Sequence, residues 1–554
     1  MMTGAAKGFH DRFPWRWALP ALAAVCICIW GCTDRLAGGS IEIGNSGKVT
    51  GQVLTLDGTA AANARVRLLP DSYDPFLADS LPSAWSVSTD AEGKYEISDV
   101  VAGAYNIEIR DSLGGTLALL TGVKASGLAE GQALPQPVAK LAEAGSISFA
   151  MDGESGEGYF YLPGTRVFTV PDSVSQVTRK VTLLGVPAAR YAALIHMVPG
   201  ISARNLLGRP ISTKAGTELM LGPYHAWRFL RAVTVNAGPT GAGLKAGLGR
   251  FPLLVRLTSA NFDFTTAKSN GEDIRFSKSD GITPLPFEIE SWDALNKRAE
   301  IWVGLDTVAA NNPTQTFLLY SGLPEAAVAS NPGAVFDTAS GFVGAWHLGI
   351  SLKDATGIGN HGMDSGATPA AGLVAKARQF DGTGRHVGVR DNASLRFGTG
   401  DFCLSAWIFV DSIAANNQVF AKRSAEGNYE VQLRSGGTLL AALDQGGTPG
   451  LALHGATALR KGVWYHVAFV RAAGQAMLYL NGALEAGPVD APQNADTPAE
   501  LSFGDDPAKP GVEGFRGKID EVEFSRTARS EDWLKLIYAT QKPASAIVLV
   551  APAE

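Results

Sequence analysis

The sequence predicts an all-β protein built from several β-sandwich domains in tandem. Its 554 residues exceed what one hydrophobic core can hold, and at roughly 100–200 residues per domain we expect three to five domains. Apolar residues make up 46% and charged residues only 18%, a balance typical of folded chains. The 64 glycines and 29 prolines indicate many turns between short strands. The net charge of −6 excludes a generally basic surface, so nucleic acid is not an expected partner.

Residues 1–31 are predicted to be the signal peptide of an exported protein. Basic residues between positions 7 and 16 precede an apolar stretch over 17–30. At about 14 residues this stretch has the length of a signal-peptide core and is short for a membrane span. It ends in Ile-Trp-Gly followed by Cys32, which resembles a bacterial lipobox. The resemblance implies that cleavage makes Cys32 the lipidated N-terminus. Secretion with cleavage nearby and an uncleaved anchor are the alternatives.

Residues 32–47 are predicted to form a flexible tether between the lipid and the first folded domain, because they are small, polar and rich in glycine. Thr33 stands where an aspartate would resemble an inner-membrane retention signal. We therefore expect an outer-membrane lipoprotein, exposed either to the periplasm or at the cell surface.

Cysteine usage agrees with export. Of the four cysteines, Cys26 and Cys28 would leave with the signal peptide and Cys32 would carry lipid. Only Cys403 remains, so the mature chain cannot form an intramolecular disulfide. Its position in the apolar run 402–410 favours a small core residue over a nucleophile.

Residues 48–139 are predicted to form a small β-sandwich. The segment ARVRLLP alternates apolar and basic residues, which is the pattern of a half-buried strand. The segments STDAEGKYEISDV and AGAYNIEIR continue the alternation after a glycine turn. The order of turns and strands over about residues 48–124 resembles the carboxypeptidase regulatory-like domain, a small transthyretin-like sandwich.

Residues 140–222 are predicted to form a second small sandwich, a degenerate copy of the first. The segment VVAGAY, ending at Tyr105, is echoed by VPAARY, ending at Tyr191, and each precedes an alternating strand. The second copy lacks the Asp-x-x-Gly-x-Tyr turn of the first.

Residues 223–335 are predicted to form a third sandwich, because several short strands are separated by Asn, Asp and Gly turns. The segments FDFTTAKSNGEDIRF, LPFEIESWD, AEIWVGL and LLYSG resemble a bacterial domain of unknown function. That family commonly sits beside laminin-G-like sandwiches in exported proteins, and the resemblance implies no activity.

Residues 340–545 carry the most specific pattern in the chain. The ordered blocks are AWHLG, DATGIGNHG, ARQFDGTGRHVGV, FCLSAWIFV, GVWYHVAFVRAAGQAMLYLNGAL and FRGKIDEVEFSRTARS. They resemble a laminin-G-like, concanavalin A-like jelly roll. The continuous apolar run 402–410 is typical of a strand buried on both faces, and Asn481-Gly482 predicts a hairpin turn.

Two acidic pairs are the candidates for catalysis, because some enzymes of this fold are glucanases and retaining glycosidases need two nearby carboxyl groups. The pairs are Glu288 with Glu290, in the third domain, and Glu521 with Glu523, in the last strand of the jelly roll. Neither completes the Glu-x-Asp-x-x-Glu strand of laminarinase-type enzymes, and the second pair is expected to face solvent. No motif of a serine hydrolase, metalloprotease or nucleotide-binding loop occurs. No catalytic residue is therefore predicted.

Calcium is the one metal that the sequence predicts. No two of the eight histidines are three to five residues apart, so zinc is not expected. Sandwiches resembling this one often hold a structural Ca²⁺, and the resemblance implies Asp354 and Asp520 as its ligands. Alternatively, Asp354 forms an Asx turn and Asp520 closes a strand.

Tryptophan positions do not identify a ligand site. Trp346, Trp407 and Trp464 lie in jelly-roll motif blocks and are expected to pack in the core. Trp85 and Trp292 are expected to be more exposed, and either could stack on a sugar ring or cap a strand end. The sequence therefore predicts no specific ligand-binding residue.

These patterns predict a non-catalytic exported lipoprotein that displays β-sandwiches at the cell envelope. The C-terminal domain would bind an extracellular polysaccharide or a surface protein, and the small domains would act as a stalk. One alternative is a polysaccharide-degrading enzyme with a divergent site within 223–545. The other is a purely structural envelope spacer.

Overall fold

The computed structural model describes residues 46–76, 81–113, 115–150, 158–170, 180–198, 203–413, 416–446, 450–506, 509–542 and 544–553. Strand residues make up 48% of the chain and helical residues 6%, which confirms the predicted all-β class. The signal peptide, Cys32 and all but the end of the predicted tether lie outside the described residues. Among the described residues, no helix combines the length and apolar character that a membrane span requires.

The first unit is a two-sheet sandwich. Its strands are β1 (Gly47–Leu54), β2 (Arg65–Pro70), β3 (Ser86–Ser88), β4 (Lys94–Val100), β5 (Gly103–Arg110), β6 (Thr116–Ala125), β7 (Ala133–Pro135), β8 (Ala139–Lys140) and β9 (Ala142–Glu143). One sheet has the order β4-β1-β7, with β8 also on β1, and the other has the order β3-β2-β5-β6-β9. Trp85, which was expected to be more exposed, is buried between them because its ring packs edge-on against Tyr105, with ring centroids 5.3 Å apart.

The second unit repeats this topology. Its strands are β10 (Gly145–Ala150), β11 (Tyr159–Tyr161), β12 (Phe168–Thr169), β13 (Lys180–Val186), β14 (Arg190–Tyr191), β15 (Ile195–Met197), β16 (Arg204–Asn205), β17 (Ile211–Ser212) and β18 (Glu218–Leu221). The orders β13-β10-β18 and β12-β11-β15-β16 match β4-β1-β7 and β3-β2-β5-β6 of the first unit. In both units a tyrosine hydroxyl donates to the carbonyl four residues earlier, Tyr105 to Val101 and Tyr191 to Pro187.

The third unit is a sandwich of two longer sheets. Its strands are β19 (Phe229–Val235), β20 (Leu248–Thr258), β21 (Arg275–Lys278), β22 (Pro284–Leu285), β23 (Phe287–Asp293), β24 (Arg298–Val308) and β25 (Gln315–Ser321). The sheets run β22-β21-β25-β19 and β20-β24-β23. The one-turn helix α1 (Pro332–Val335) packs on β23 and β24 and leads into the next unit.

The C-terminal unit is a concanavalin A-like sandwich. Its strands are β26 (Phe342–Trp346), β27 (Gly362–Ser365), β28 (Thr368–Ala371), β29 (Lys376–Asp381), β30 (His386–Val389), β31 (Phe402–Val410), β32 (Asn417–Ser424), β33 (Gly427–Leu433), β34 (Leu439–Gln445), β35 (Leu451–His454), β36 (Trp464–Ala472), β37 (Gln475–Leu480), β38 (Ala483–Asp490), β39 (Leu501–Phe503) and β40 (Arg516–Ser525). An eight-stranded sheet runs β28-β29-β40-β31-β36-β37-β38, with β26 also on β40. A seven-stranded sheet runs β27-β30-β39-β32-β33-β34-β35.

Two predicted features of this unit are confirmed. Strand β31 is buried on both faces, as its apolar run predicts. Asn481 and Gly482 both have positive φ, 52° and 78°, which is the conformation that a two-residue turn between right-twisted strands requires.

The third and C-terminal units share one hydrophobic core. Helix α2 (Glu531–Gln541) is capped by Ser530, whose hydroxyl accepts a hydrogen bond from the Trp533 amide at 3.2 Å. Two acidic residues in its first turn stabilise the helix through the positive end of its dipole. The helix then packs against β20 of the third unit and β38 of the C-terminal unit. A last strand, β41 (Val548–Val550), returns to pair with β19. The chain therefore closes the third unit after completing the C-terminal one.

Candidate functional site

Titratable side chains meet where the third unit packs against the C-terminal unit. They come from elements far apart in sequence, namely β23 of the third unit, and the end of β26 and strand β40 of the C-terminal unit, with His347 directly after β26. The members of this interface cluster are Glu288, Glu290, His347, Asp520, Glu521 and Glu523. The two acidic pairs that sequence patterns place in separate domains therefore lie together.

A β-bulge explains how β40 presents its acids. Ser405 and Trp407 of β31 pair with Glu523 and Asp520, so one residue of β31 faces two residues of β40. Glu521 sits in this bulge with φ of 46°, a left-handed conformation that is costly for a residue with a side chain. The expectation that Glu521 and Glu523 face solvent is wrong, because the third unit covers this face and leaves them 3% and 6% exposed.

Strand β23 carries a second bulge at the same place. Ile289 and Ser291 pair with consecutive residues of β24, so Glu290 is the extra residue. The indole of Trp302 donates to Glu290 Oε2 at 2.8 Å and orients the carboxylate. Bulges commonly aim side chains next to functional sites.

His347 connects the two acidic strands. Its Nδ1 lies 2.8 Å from Glu521 Oε2 and 3.6 Å from Glu290 Oε2, and its Nε2 lies 3.1 Å from Glu288 Oε2. The ring stacks beside Trp302, with centroids 5.8 Å apart. Both imidazole nitrogens therefore face carboxylates in a site that water barely reaches.

The charges of the interface cluster shift its protonation strongly. Burial, reinforced by the charge of Glu521, raises the pKa of Glu290 well above its usual value and the pKa of Glu523 to about 8. Burial would lower the pKa of His347, but the charges of Glu521, Glu288 and Glu290 outweigh it and raise that pKa. The site therefore favours an added positive charge.

Glu290, His347 and Glu521 are the group that could hold a metal ion. Among the residues that the structure describes, only these three offer His, Cys, Asp or Glu ligand atoms that all lie within 4.8 Å of one another. One ligand nitrogen and two carboxylate oxygens make up the set.

The predicted calcium ligands lie at different hydrogen-bonded positions. The Asp354 carboxylate accepts from the amides of residues 345, 356, 359 and 360 and from the Thr356 hydroxyl. Asp520 accepts from the amides of residues 373, 374 and 521. These bonds occupy the oxygens that Ca²⁺ would need, so the arrangement fits calcium poorly and resembles the Asx-turn alternative. Calcium binding stays a prediction.

The other singled-out residues mostly pack in the core. Cys403, Trp346 and Trp407 are buried, as expected, and burial raises the pKa of the Cys403 thiol to about 12. Trp464 is half-buried rather than fully packed, because it lies beside Phe409 at the sheet end. Trp292, expected to be more exposed, is also half-buried, against Phe262 and Phe264.

A second set of carboxylates lies at the outer face of the seven-stranded sheet, Glu430 on β33 and Asp506 and Glu513 between β39 and β40. This set includes a cation, Arg423 of β32. Arg423 donates to Asp506 Oδ2 at 2.7 Å, to Glu513 Oε2 at 3.3 Å and to Glu430. Gln432 donates to Glu513 Oε2 at 2.9 Å. We call Arg423, Glu430, Asp506 and Glu513 the arginine cluster, and these contacts all stay within the C-terminal unit.

Family comparisons match two parts of the chain. Residues 381–535 match the family described as the concanavalin A-like lectin/glucanases superfamily, and residues 270–348 match a family described as a domain of unknown function (DUF2341). Both domains are therefore present. The second match contains Glu288, Glu290 and His347, whereas the first contains Glu521 and Glu523. No curated protein matches the sequence.

Similar solved structures cover about a third of the chain. The binding domain of Paraclostridial Mosquitocidal Protein 1 is 14% identical with a TM-score of 0.32, covering 37% of this chain and 53% of that one. Domain 4 of AbnA, a GH43 extracellular arabinanase from Geobacillus stearothermophilus in complex with arabinotriose, is 18% identical with a TM-score of 0.31, covering 35% and 97%. The receptor binding domain of botulinum neurotoxin D is 12% identical with a TM-score of 0.30, covering 36% and 53%. The chain thus spans about half the length of the two toxin domains.

Sequence reasoning missed His347 and Arg423. His347 belongs to the AWHLG block, but no second histidine stands at a ligand spacing, and its partners lie 57 or more positions away in sequence. Arg423 follows a lysine on a strand that shows no distinctive pattern. Only the tertiary structure brings these residues to their partners.

Proposed function

We propose that this protein is a non-catalytic exported lipoprotein whose C-terminal sandwich recognises an extracellular polysaccharide or a surface protein. Lipid on Cys32 would anchor it to the outer membrane, facing either the periplasm or the cell exterior. The first two units would act as a stalk, the first of them being a carboxypeptidase regulatory-like domain. The shared topology of these two units and the match of residues 381–535 to a lectin-containing family support this proposal.

The burial of the interface cluster is the observation that carries the non-catalytic part. A glycosidase needs two carboxyl groups that flank a bound substrate. Glu521 and Glu523 lie instead under the third unit, with at most 6% of either residue exposed. A polysaccharide could reach them only if the two units separated, which would open their common core.

The outer face of the seven-stranded sheet is the better place for a ligand. On β33, Tyr429 and Val431 point into the core. Because side chains alternate along a strand, Asn428 points outward. Its cross-strand partner is Asp444, and His454 lies further along the same face. Carboxylate, amide and imidazole groups are the donors and acceptors that sugar hydroxyls or a polar protein surface would meet.

A glycan array tests the proposal, using the chain from residue 33 onward so that all four units stay together. We expect saturable binding that falls about tenfold or more in a double variant with Asn428→Ala and Asp444→Ala, because each change removes polar contacts worth about 1 kcal/mol. Asp490→Ala, on the edge strand of the other sheet, is the matched control. Absence of binding to glycans and surface proteins at high micromolar concentration would contradict recognition. Running the array with and without Ca²⁺ tests the calcium prediction.

Hydrolysis assays on plant and microbial polysaccharides test the enzyme alternative. We expect no activity above that of the Glu521→Gln and Glu523→Gln variants. Activity that either substitution abolishes would overturn the non-catalytic proposal.

A further inference from the structure

We propose that Glu290, His347 and Glu521 bind a divalent transition-metal ion, of which Zn²⁺ is the best fit, and that this ion links the third unit to the C-terminal unit. Glu290 comes from the third unit, whereas His347, directly after β26, and Glu521, on the neighbouring strand β40, come from the C-terminal unit. Their ligand atoms lie within 4.8 Å of one another. The inference goes beyond ligand recognition and does not depend on it.

Nδ1 of His347 lies 2.8 Å from Glu521 Oε2, so a metal ion that binds there would displace the proton between these two atoms. His347 Nε2 lies 3.1 Å from Glu288 Oε2, and once Nδ1 has lost its proton to a metal, the remaining proton lies on Nε2 and is donated to that carboxylate. The lone pair of Nδ1 then points toward Glu521 and Glu290, at 2.8 and 3.6 Å. Metal-binding histidines commonly donate their second N–H to a carboxylate, which orients the ring and strengthens the ligand. Glu288 is thus a positioning residue.

One oxygen of the buried Glu521 carboxylate has no hydrogen-bond partner, which independently points to a bound cation. The side chain of Glu521 is only 2% exposed, and its Oε1 has no hydrogen-bond partner. A buried charged oxygen without a partner is costly, and proteins rarely keep one. A cation bound jointly by Glu521, Glu290 and His347 would partner this carboxylate. The Trp302 indole already fixes Glu290 in place.

The ligand set selects the class of metal. Ca²⁺ and Mg²⁺ prefer six or more oxygen ligands, whereas one imidazole with two carboxylates suits Zn²⁺ and similar first-row ions. Bonds of about 2.0–2.2 Å in a tetrahedral arrangement place neighbouring ligand atoms about 3.3–3.6 Å apart. Glu290 Oε2 lies 3.6 Å from His347 Nδ1, at the upper end of this range, Glu521 Oε2 lies nearer at 2.8 Å, and the two carboxylates offer oxygens within 4.8 Å of each other. Small side-chain movements would therefore complete the site.

A protonated His347 that merely pairs with the glutamates is the rival explanation, and metal titration separates the two. We would strip the chain from residue 33 onward with a chelator, then titrate it with Zn²⁺, Mn²⁺ or Ca²⁺ by calorimetry. We expect one equivalent of Zn²⁺ to bind, more tightly than Ca²⁺, and the metal to raise the unfolding temperature. Failure of the folded wild-type protein to bind a stoichiometric transition metal would overturn the proposal, as would tighter binding of Ca²⁺.

Isosteric variants locate the site. Glu290→Gln and Glu521→Gln should each weaken Zn²⁺ binding about 100-fold or more, and Glu288→Gln about 10-fold to 100-fold through the ring it positions. Glu430→Gln, a buried glutamate of the arginine cluster, is the matched control and should leave affinity unchanged. Co²⁺ substitution gives a readout on whichever variants fold, because its visible absorption reports the ligands directly. Equal loss of affinity in Glu430→Gln and Glu521→Gln would contradict the assignment.

Discussion

The two sheets of the C-terminal sandwich both carry carboxylates on their outer faces, but they balance that charge differently. On the seven-stranded sheet, Arg423 contacts all three acids of the arginine cluster. The interface cluster instead combines three acids of the eight-stranded sheet with two acids of the third unit packed over it, and His347 lies between the two acidic strands. The carboxylates of the arginine cluster are paired with a permanent cation, whereas among the described residues those of the interface cluster form ion pairs only with His347, although the charges of Arg256 and Arg529 act on them. An added cation or retained protons would balance the remaining charge.

The covering of the eight-stranded sheet also changes how the chain is divided. Residues 340–545 match one continuous pattern in sequence, yet their last helix packs against β20 and the following strand joins β19. The covered face therefore belongs to the third unit as much as to the C-terminal one. We expect the two units to unfold together.

Removing the anchor of the covering helix should have the largest effect. Trp533 is buried between the units, with its ring centroid 4.8 Å from that of Phe251 in the third unit and its ring face 4.0 Å from the Arg529 guanidinium. Trp533→Ala should lower the free energy of unfolding by about 3–5 kcal/mol, because it leaves a large cavity. Chemical denaturation followed by fluorescence and by circular dichroism checks this. The control Leu549→Ala, at an exposed position of β41, should cost far less. Loss of one unit at unchanged stability of the other would contradict the common core.

Removing the resident cation of the arginine cluster should have the next effect. Arg423→Met leaves Glu430, Asp506 and Glu513 without their shared partner. We expect the free energy of unfolding to fall by about 3 kcal/mol. This is the lower end of the range for a broken buried ion pair, because Arg423 and Glu513 are partly exposed. Arg423→Lys keeps the charge and should recover part of the loss. Equal stability of wild type and Arg423→Met in denaturant titrations would mean that the cluster needs no cation.

The exclusion of water from the covered face of the eight-stranded sheet should make the free energy of unfolding depend on pH. Burial lowers the pKa of His466, beside Trp407, to about 3, below its value in the unfolded chain of about 6.5. The folded state thus binds fewer protons between these values, so stability falls as the pH drops below about 6.5, by at most about 1.4 kcal/mol per pH unit. His466→Gln should lose this part of the slope between pH 6.5 and 4.5. The exposed His454→Gln is the control and should keep it. If the unfolding free energy of His466→Gln depends on pH as steeply as that of the wild type, water reaches this face.

The sequence predicts the architecture better than the site. Local patterns are sufficient for strand β31 and the Asn481-Gly482 turn, because strand periodicity and turn conformation are decided by neighbouring residues. The fold of residues 340–545 is predicted instead by the resemblance of its ordered motif blocks to a known family. The sequence also identifies the two acidic pairs. It does not predict that they lie together, because nothing in one sequence says which strands about 230 residues apart will pack against each other.

The burial of Glu521 and Glu523 cannot be read from the sequence for a related reason. Val522 and Phe524 point into the core, so Glu521 and Glu523 lie on the outer face as alternation predicts, and the bulge adds an extra residue beside them. Bulges depend on pairing with another strand, so the strand's own sequence does not reveal them. The cover over this face, contributed by α2 and the third unit, is likewise a tertiary feature.

Anomalous X-ray scattering from crystals grown with Zn²⁺ tests the contrast between the two clusters most directly. We predict a peak at the zinc edge about 2.0–2.2 Å from His347 Nδ1 and from carboxylate oxygens of Glu290 and Glu521, and none at the arginine cluster. A peak beside Asp354 or Arg423 instead, or no ordered zinc at the interface cluster at saturating concentration, would contradict the account.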